Sequence, residues 1–187
     1  KICYKMSDKL IKKNFFNDNF FEFFFNLLKE LNIKNFEYFL FHNSKSLNFD
    51  YGKKIYESLN QLKENGFIKK IGISSYSPKE VRQIIQKFDI DVIQIPINIF
   101  DQRFLEKKFL KTLKKNRIEI HVRSIFLQGL IDFKSEKLPK KFKKFSSVFK
   151  KWENFLIKNR SNAIRESVNF INSIPEIDKI VVGVDNP

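Results

Sequence analysis

Residues 66–97 read GFIKKIGISSYSPKEVRQIIQKFDIDVIQIPI, and their pattern decides the fold. IKKIGIS and DVIQIPI are short, mostly apolar runs of strand length. Between them, Val81, Ile84, Ile85 and Phe88 recur at helical spacing and predict a helix with those residues inward. Ser77 stands at its N-cap, Pro78 at its first position and Glu80 where a capping box would close. Gly66 is placed to end the preceding helix.

Working outward, the same unit repeats. KICYKM is a short β-like run, followed by a polar loop and then FFEFFFNLLKELNI, whose Phe21, Phe24, Leu28 and Leu31 predict one helical face. FEYFLFH is a near-continuous apolar strand, and in YGKKIYESLNQLKENGF Ile55, Leu59 and Leu62 stripe a helix. After DVIQIPI, Leu105, Phe109 and Leu113 mark another helix, and IEIHVRS, a long helical region over 138–173 and DKIVVGV complete the series. Strands apolar on both faces, alternating with amphipathic helices, mean parallel β/α units.

Two architectures fit that rhythm, a doubly wound sheet and a (β/α)8 TIM barrel. A dinucleotide-binding open sheet should carry a glycine-rich turn after a strand. With five glycines the chain has neither GxGxxG nor GxxxxGK[ST]. Polar residues instead end successive strands: Lys5, His42, Ser74 and Ser75, Gln94, Arg123 and Ser124. In a barrel these ends converge on one face, where a site is built. A complete barrel takes about 250 residues. The 187 residues, opening on Lys1 rather than methionine, are therefore expected to be one partial barrel domain over 1–187, with about strands three to eight present.

Composition narrows the function classes. No apolar run approaches the ~20 residues of a bilayer span, and no signal-peptide pattern opens the chain. The single Cys3 excludes an internal disulfide, and a cytoplasmic location is expected. One cysteine and two separated histidines offer no zinc-type cluster, so no metal is expected. The net charge of +15 invites a nucleic-acid reading. Heavy use of Lys, Asn, Ile and Phe, all with A/T-rich codons, would give the same lysines without an anionic partner. In KLPKKFKKFSSVFKKW, Phe142, Phe145, Phe149 and Trp152 recur at helical spacing, which reads as an amphipathic helix rather than a single-strand binder.

The motif series resembles the aldo-keto reductases, (β/α)8 oxidoreductases that use a nicotinamide cofactor. FEYFLFHNS is similar to the family's fourth strand, and GFIKKIGISSYSP to the "GKIRxIGVSNxS" segment around the fifth. DIDVIQIPINIFDQR resembles the sixth-strand pattern, VRSIFLQGLI the "YSPLxxGLL" of the seventh, and IDKIVVGV the "xxxIxGV" of the eighth. The resemblance spans essentially the whole chain.

It implies reduction of an aldehyde or ketone by NAD(P)H. His42 would be the catalytic histidine, and Lys5 the lysine that favours the phenolate of a proton-donating tyrosine. That tyrosine and an aspartate belong upstream of Lys1 in the family pattern. Tyr4 is not the tyrosine, because it adjoins Lys5 on one strand and points to the other face. Ser74 and Gln94 match positions that bind the nicotinamide carboxamide, with Ser75 where the family usually has Asn. Ser124 matches a serine near the pyrophosphate. Arg123 stands where many members stack a tyrosine on the nicotinamide. His121, within a strand, reads as structural. The expected cofactor is NADP(H), with NAD(H) an open alternative, and the expected partner is a small-molecule carbonyl substrate, with no specific nucleic acid and no membrane. A catalytically silent binding or regulatory subunit of the same fold is the alternative, and a basic nucleic-acid-binding protein a more distant one.

Overall fold

The computed structural model describes residues 1–16 and 19–183. Six strands follow one another in the sheet in chain order. They are β1 (Cys3–Met6), β2 (Phe36–Phe41), β3 (Ile68–Ser74), β4 (Val92–Pro96), β5 (Glu119–Arg123) and β6 (Lys179–Val181). The helices between them are α1 (Asp8–Phe16), α2 (Phe20–Glu30), α3 (Asp50–Glu64), α4 (Pro78–Ile85), α5 (Lys107–Lys115), α6 (Ser146–Lys158) and α7 (Ala163–Asn172). Contacts gather the chain into two compact units, Lys1–Ile95 with Arg103–His121, and Pro96–Gln102 with Val122–Pro187.

In the first unit β1 to β4 pair in parallel. Tyr4 lies opposite Phe39 and Lys5 opposite Leu40; Leu40 lies opposite Gly72, and Ser74 opposite Gln94. Strand alternation therefore sorts these residues onto two faces. Tyr4 and Phe39 share the face covered by α2, where Phe24 packs against Phe36 and Phe39 with ring centroids 5.7 Å apart. On the other face Leu40 and Val92 pack with Tyr38. That face is not wholly apolar, as the strand runs suggested. Tyr38 Oη donates to Glu119 Oε1 at 2.9 Å, and the buried His121 ring lies 2.9 Å from the same oxygen. Lys70 also pairs with Glu119. Polar strand residues persist here because they satisfy one another.

Two helical faces differ from the expected ones. In α2 the buried residues are Phe20, Phe24 and Leu28, while Phe21 and Leu31 are exposed. The expected polar loop after β1 contains α1, which buries Ile11 and Asn14. The α3 stripe holds, with Ile55, Leu59 and Leu62 buried; in α4 Val81 and Ile84 are buried, whereas Ile85 is half-buried and Phe88, also half-buried, lies past the helix end. In the next segment Phe109 and Leu113 are buried as expected, but Phe104 rather than Leu105 is the buried residue preceding α5. Gly66 adopts φ +78 and closes α3, its N–H donating to Lys63 O at 3.0 Å and that of Phe67 to Leu62 O at 2.9 Å.

In the second unit the expected long helix is divided. Lys140–Phe145 is a 3₁₀ turn, and α6 ends before α7 begins. Phe149 and Trp152 are buried, whereas Phe145 is exposed on the 3₁₀ turn. Trp152 Nε1 donates to Ile131 O at 3.1 Å, and the indole shares a core with Ile131 and Ala163. The eighth-strand motif ends at Val184, which lies outside the described residues.

Candidate active site

The carboxyl ends of β1 to β4 carry the residues that the strand ends singled out. Lys5 Nζ donates to Gln94 Oε1 at 2.7 Å. These residues belong to β1 and β4, three strand spacings apart in the sheet order. In a flat sheet that is about 14 Å, and side chains standing perpendicular to it would not meet. The bond therefore reports a curled sheet in this unit, with Lys5 and Gln94 on its concave face. Tyr4 points the other way, against Phe23, Phe36 and Phe39. Burial pushes its phenol pKa up and the charge of Glu30 adds to that, so Tyr4 stays neutral.

His42 follows β2 directly, its N–H donating to Met6 O at 2.9 Å, and its side chain is exposed. It lines a cleft of about 340 Å³ with Asp8, Asn43, Lys45, Ser74, Ser75, Tyr76 and Glu80. Ser74, Ser75 and Gln94 are buried. Lys5 and Gln94 meet each other rather than lining this cleft, and the link between the two sets is the Ser75 N–H, which donates to Gln94 O at 3.1 Å.

Ser75 has a second task. Its Oγ accepts from the N–H of Ser77 at 3.2 Å and donates toward Glu80 Oε2 at 3.2 Å. The expected capping box is thus half present. Ser77 Oγ accepts from the Glu80 N–H at 3.4 Å. The Glu80 carboxylate, however, turns outward to Ser75, to Ser44 Oγ at 3.0 Å and to Lys45 at 3.4 Å. Asp8, at the start of α1, accepts from Asn43 Nδ2 at 2.9 Å and from Ser46 Oγ. Neither carboxylate stood out in the sequence as part of the site.

Arg123 and Ser124 lie at the end of β5 in the second unit. Arg123 Nη1 donates to Ser124 Oγ at 3.3 Å, and Ser124 adopts φ +60, a left-handed conformation unusual for a residue with a Cβ. The buried Asn98 supports it. Its Nδ2 donates to Ser124 O at 3.2 Å, and its Oδ1 accepts from the N–H groups of Phe100 and Asp101 at 2.9 and 2.8 Å. Asn98 was readable as the Asn of INIFDQR but carried no signal of this role. Among the described residues, no three His, Cys, Asp or Glu side chains gather as metal ligands, and no helix is long and apolar enough to cross a membrane.

A parallel β/α sheet with polar groups collected at the carboxyl ends of its strands defines the class. The model of the aldo/keto reductase family matches residues 1–177, and the chain belongs to that family. The NADH-specific methylglyoxal reductase of Escherichia coli strain K12 is 34% identical over 73 residues, covering 39% of this chain and 22% of that protein. The oxidoreductase YqkF of Bacillus subtilis strain 168 is 29% identical over 75 residues, covering 40% of this chain and 24% of that protein. The chain thus spans about a quarter of the curated relatives it matches. Among solved structures, the apo form of aldo-keto reductase AKR11C1 from Bacillus halodurans superposes with a TM-score of 0.68 at 15% identity, over 97% of this chain and 60% of that one. The glycerol dehydrogenase AKR11B4 from Gluconobacter oxydans gives 0.61 at 19% identity, over 85% and 53%. At such identities the likeness establishes the fold alone.

Proposed function

We propose that this chain belongs to an oxidoreductase that reduces an aldehyde or ketone to the alcohol with a reduced nicotinamide cofactor, its strands serving as the third to eighth of a (β/α)8 barrel. The observation that carries the reading is that Lys5, His42, Ser74 and Gln94 stand at the carboxyl ends of four adjacent strands of one sheet, in two neighbouring sets, within a chain of the aldo/keto reductase family. In a barrel, that end is where chemistry is done.

His42 donates a hydrogen bond to the substrate carbonyl oxygen and stabilises the charge that develops there. Lys5 supplies the cation that favours the phenolate of the tyrosine the family pattern places upstream. Ser74 and Gln94 are buried, uncharged and opposite each other on β3 and β4. A hydroxyl beside an amide offers both donors and acceptors, which suits a neutral carboxamide. Bound there, the cofactor would supply the hydride to the carbonyl carbon. Ser75 is a departure: its hydroxyl serves α4 and Glu80, so the contact made by the family's Asn is lost and the carboxamide is left to Ser74 and Gln94.

The intact protein, given reduced cofactor and a panel of small aldehydes and ketones, should consume cofactor and form alcohol one for one. Cofactor binding without turnover would instead favour the silent-subunit reading. Running the assay with NADPH and NADH decides between the NADP(H) assigned from the resemblance and the NAD(H) used by the E. coli relative, which is named NADH-specific.

Arg123 and Ser124 are assigned to the nicotinamide and pyrophosphate on the resemblance. A guanidinium can stack on a ring, as the usual tyrosine does, but it carries a fixed charge. Oxidised nicotinamide is cationic and the reduced ring is neutral, so Arg123 should disfavour the oxidised form. After screening, the repulsion should be about 1 kcal/mol, several-fold in affinity. We expect tighter binding of reduced than oxidised cofactor, and loss of that preference in Arg123→Tyr, measured as both dissociation constants in both proteins. An unchanged preference would mean that Arg123 faces something else.

A further inference from the structure

His42 stands at the head of the segment His42-Asn43-Ser44-Lys45-Ser46, and the side chains of the four residues after it are each held by one of two carboxylates. Asp8 takes the outer pair: its Oδ2 accepts from Asn43 Nδ2 at 2.9 Å and its Oδ1 from Ser46 Oγ. Glu80 takes the inner pair: its Oε2 accepts from Ser44 Oγ at 3.0 Å, and its Oε1 lies 3.4 Å from Lys45 Nζ. The carboxylates arrive from opposite sides. Asp8 opens α1 directly after β1, and Glu80 lies in the first turn of α4 directly after β3. The strand carrying His42 runs between those two.

We infer that Asp8 and Glu80 are positioning residues that fix the His42 side chain by clamping the segment behind it from both neighbouring strands. The inference rests on the catalytic role assigned to His42 above.

Three features separate this arrangement from ordinary loop stabilisation. Ser44 and Ser46 are buried to 1% exposure, so their hydroxyls cannot exchange these partners for bulk water. The contacts are directional hydrogen bonds from hydroxyl and amide groups, those of Glu80 lying at ordinary lengths of 3.0 to 3.2 Å. Glu80 also accepts from Ser75 Oγ at 3.2 Å, and the Ser75 N–H is bonded to Gln94 O. The His42 segment is thereby tied to the end of β3 and, through it, to β4. His42 itself needs such support. It is exposed, it follows the last strand residue, and among its own contacts the backbone bond to Met6 O holds only its main chain. A catalytic side chain must be held to a fraction of an ångström, and a displacement of about 1 Å can cost on the order of 10² in rate.

The test is a set of double-mutant cycles on the intact protein. Glu80→Ala and Asp8→Ala should each lower kcat by roughly ten- to a hundredfold, with the dissociation constant of the reduced cofactor unchanged. Glu80→Gln should recover most of the loss, because its amide oxygen still accepts from Ser44 and Ser75. In a His42→Ala background, Glu80→Ala and Asp8→Ala should add almost nothing, since the group they position is gone. An equal loss with and without His42 would overturn the inference and leave the carboxylates as loop staples. So would a normal kcat in Glu80→Ala and Asp8→Ala when His42→Ala is crippled. If His42→Ala itself keeps full turnover, the assignment of His42 falls and the positioning role falls with it. Should the alanine variants fail to fold, Ser44→Ala and Ser46→Ala, each removing one hydroxyl, enter the same cycle with the same expected signs.

Discussion

Replacing His42 by alanine in the intact protein should lower kcat/KM by roughly 10²–10⁴, the range expected for a positioned group that handles the carbonyl oxygen. The melting temperature should hardly move. The imidazole is exposed, and the bond that ties this residue to β1 belongs to its backbone N–H, which alanine keeps. Affinity for the reduced cofactor should be unchanged, because the groups assigned to the carboxamide are Ser74 and Gln94. The loss should fall on kcat more than on KM, since a bond from His42 to the carbonyl oxygen would strengthen as negative charge builds there. Steady-state kinetics, a cofactor titration and a thermal melt on the same preparation separate these quantities. Wild-type turnover would reduce His42 to a residue that ends a strand. The chain's other histidine is a useful contrast, being buried against Glu119 and Tyr38, with the surroundings of a structural group.

What the sequence made legible was local chemistry. Ser77 and Pro78 begin α4 as their side chains demand, and Gly66 ends α3 in the left-handed conformation that glycine adopts without cost. Most other helix C-termini had weaker signals. Asn32, Arg117 and Arg160 adopt φ of 51, 59 and 47 after α2, α5 and α6, and each donates its N–H back into the last turn. Two of these are arginines, which nothing marks as helix terminators; the signal for the break after α6 lay instead in Asn162, whose Oδ1 caps α7 by accepting from the Arg165 N–H at 2.9 Å. The phase of α2 was hidden. FFEFFF supplies an apolar residue for almost any face, and only tertiary packing, such as that of Phe24 against Phe36 and Phe39, selects the face of Phe20, Phe24 and Leu28. Phe142, Phe145, Phe149 and Trp152 keep a spacing of three to four residues that a 3₁₀ turn and an α-helix both satisfy, so the change at Ser146 could not be read.

The candidate site divides along the same line. Strand ends are local features, so His42, Lys5, Ser74 and Gln94 could be nominated. Asp8 and Glu80 meet the His42 segment across 35 and 36 residues of sequence, and no local rule predicts such a partner. Glu80 was assigned to the wrong bond for this reason. The capping-box pattern is correct about the Glu80 N–H but carries no information about the carboxylate, which a buried serine from another segment claims.

Gly52→Ala is the second substitution with a large expected effect, and helix propensity gives its sign wrongly. Gly52 is the third residue of α3. Alanine there should gain about 1 kcal/mol from propensity alone. Most of that gain is the reduced freedom of the unfolded chain. Packing opposes it. A Cβ on Gly52 would lie 1.9 Å from Ser46 O, 2.5 Å from Ser46 C and 3.0 Å from Leu47 N. All three are backbone atoms, so no rotamer change relieves the overlap, and either the start of α3 or the 3₁₀ turn over Ser44–Asn48 must move. Overpacking of this kind costs about 1–3 kcal/mol and occasionally more. The contact is short enough for the upper end to outweigh the propensity gain, and the melting temperature should fall by several degrees. Ser46 is also the residue whose hydroxyl is bonded to Asp8, so displacing its backbone loosens one half of the clamp behind His42. Gly52→Ala should therefore lose turnover as well as stability, at temperatures well below its own melting point and with cofactor affinity retained. A variant that melts higher than wild type and turns over normally would show that α3 and the 3₁₀ turn part without cost, and that His42 does not depend on the segment they hold.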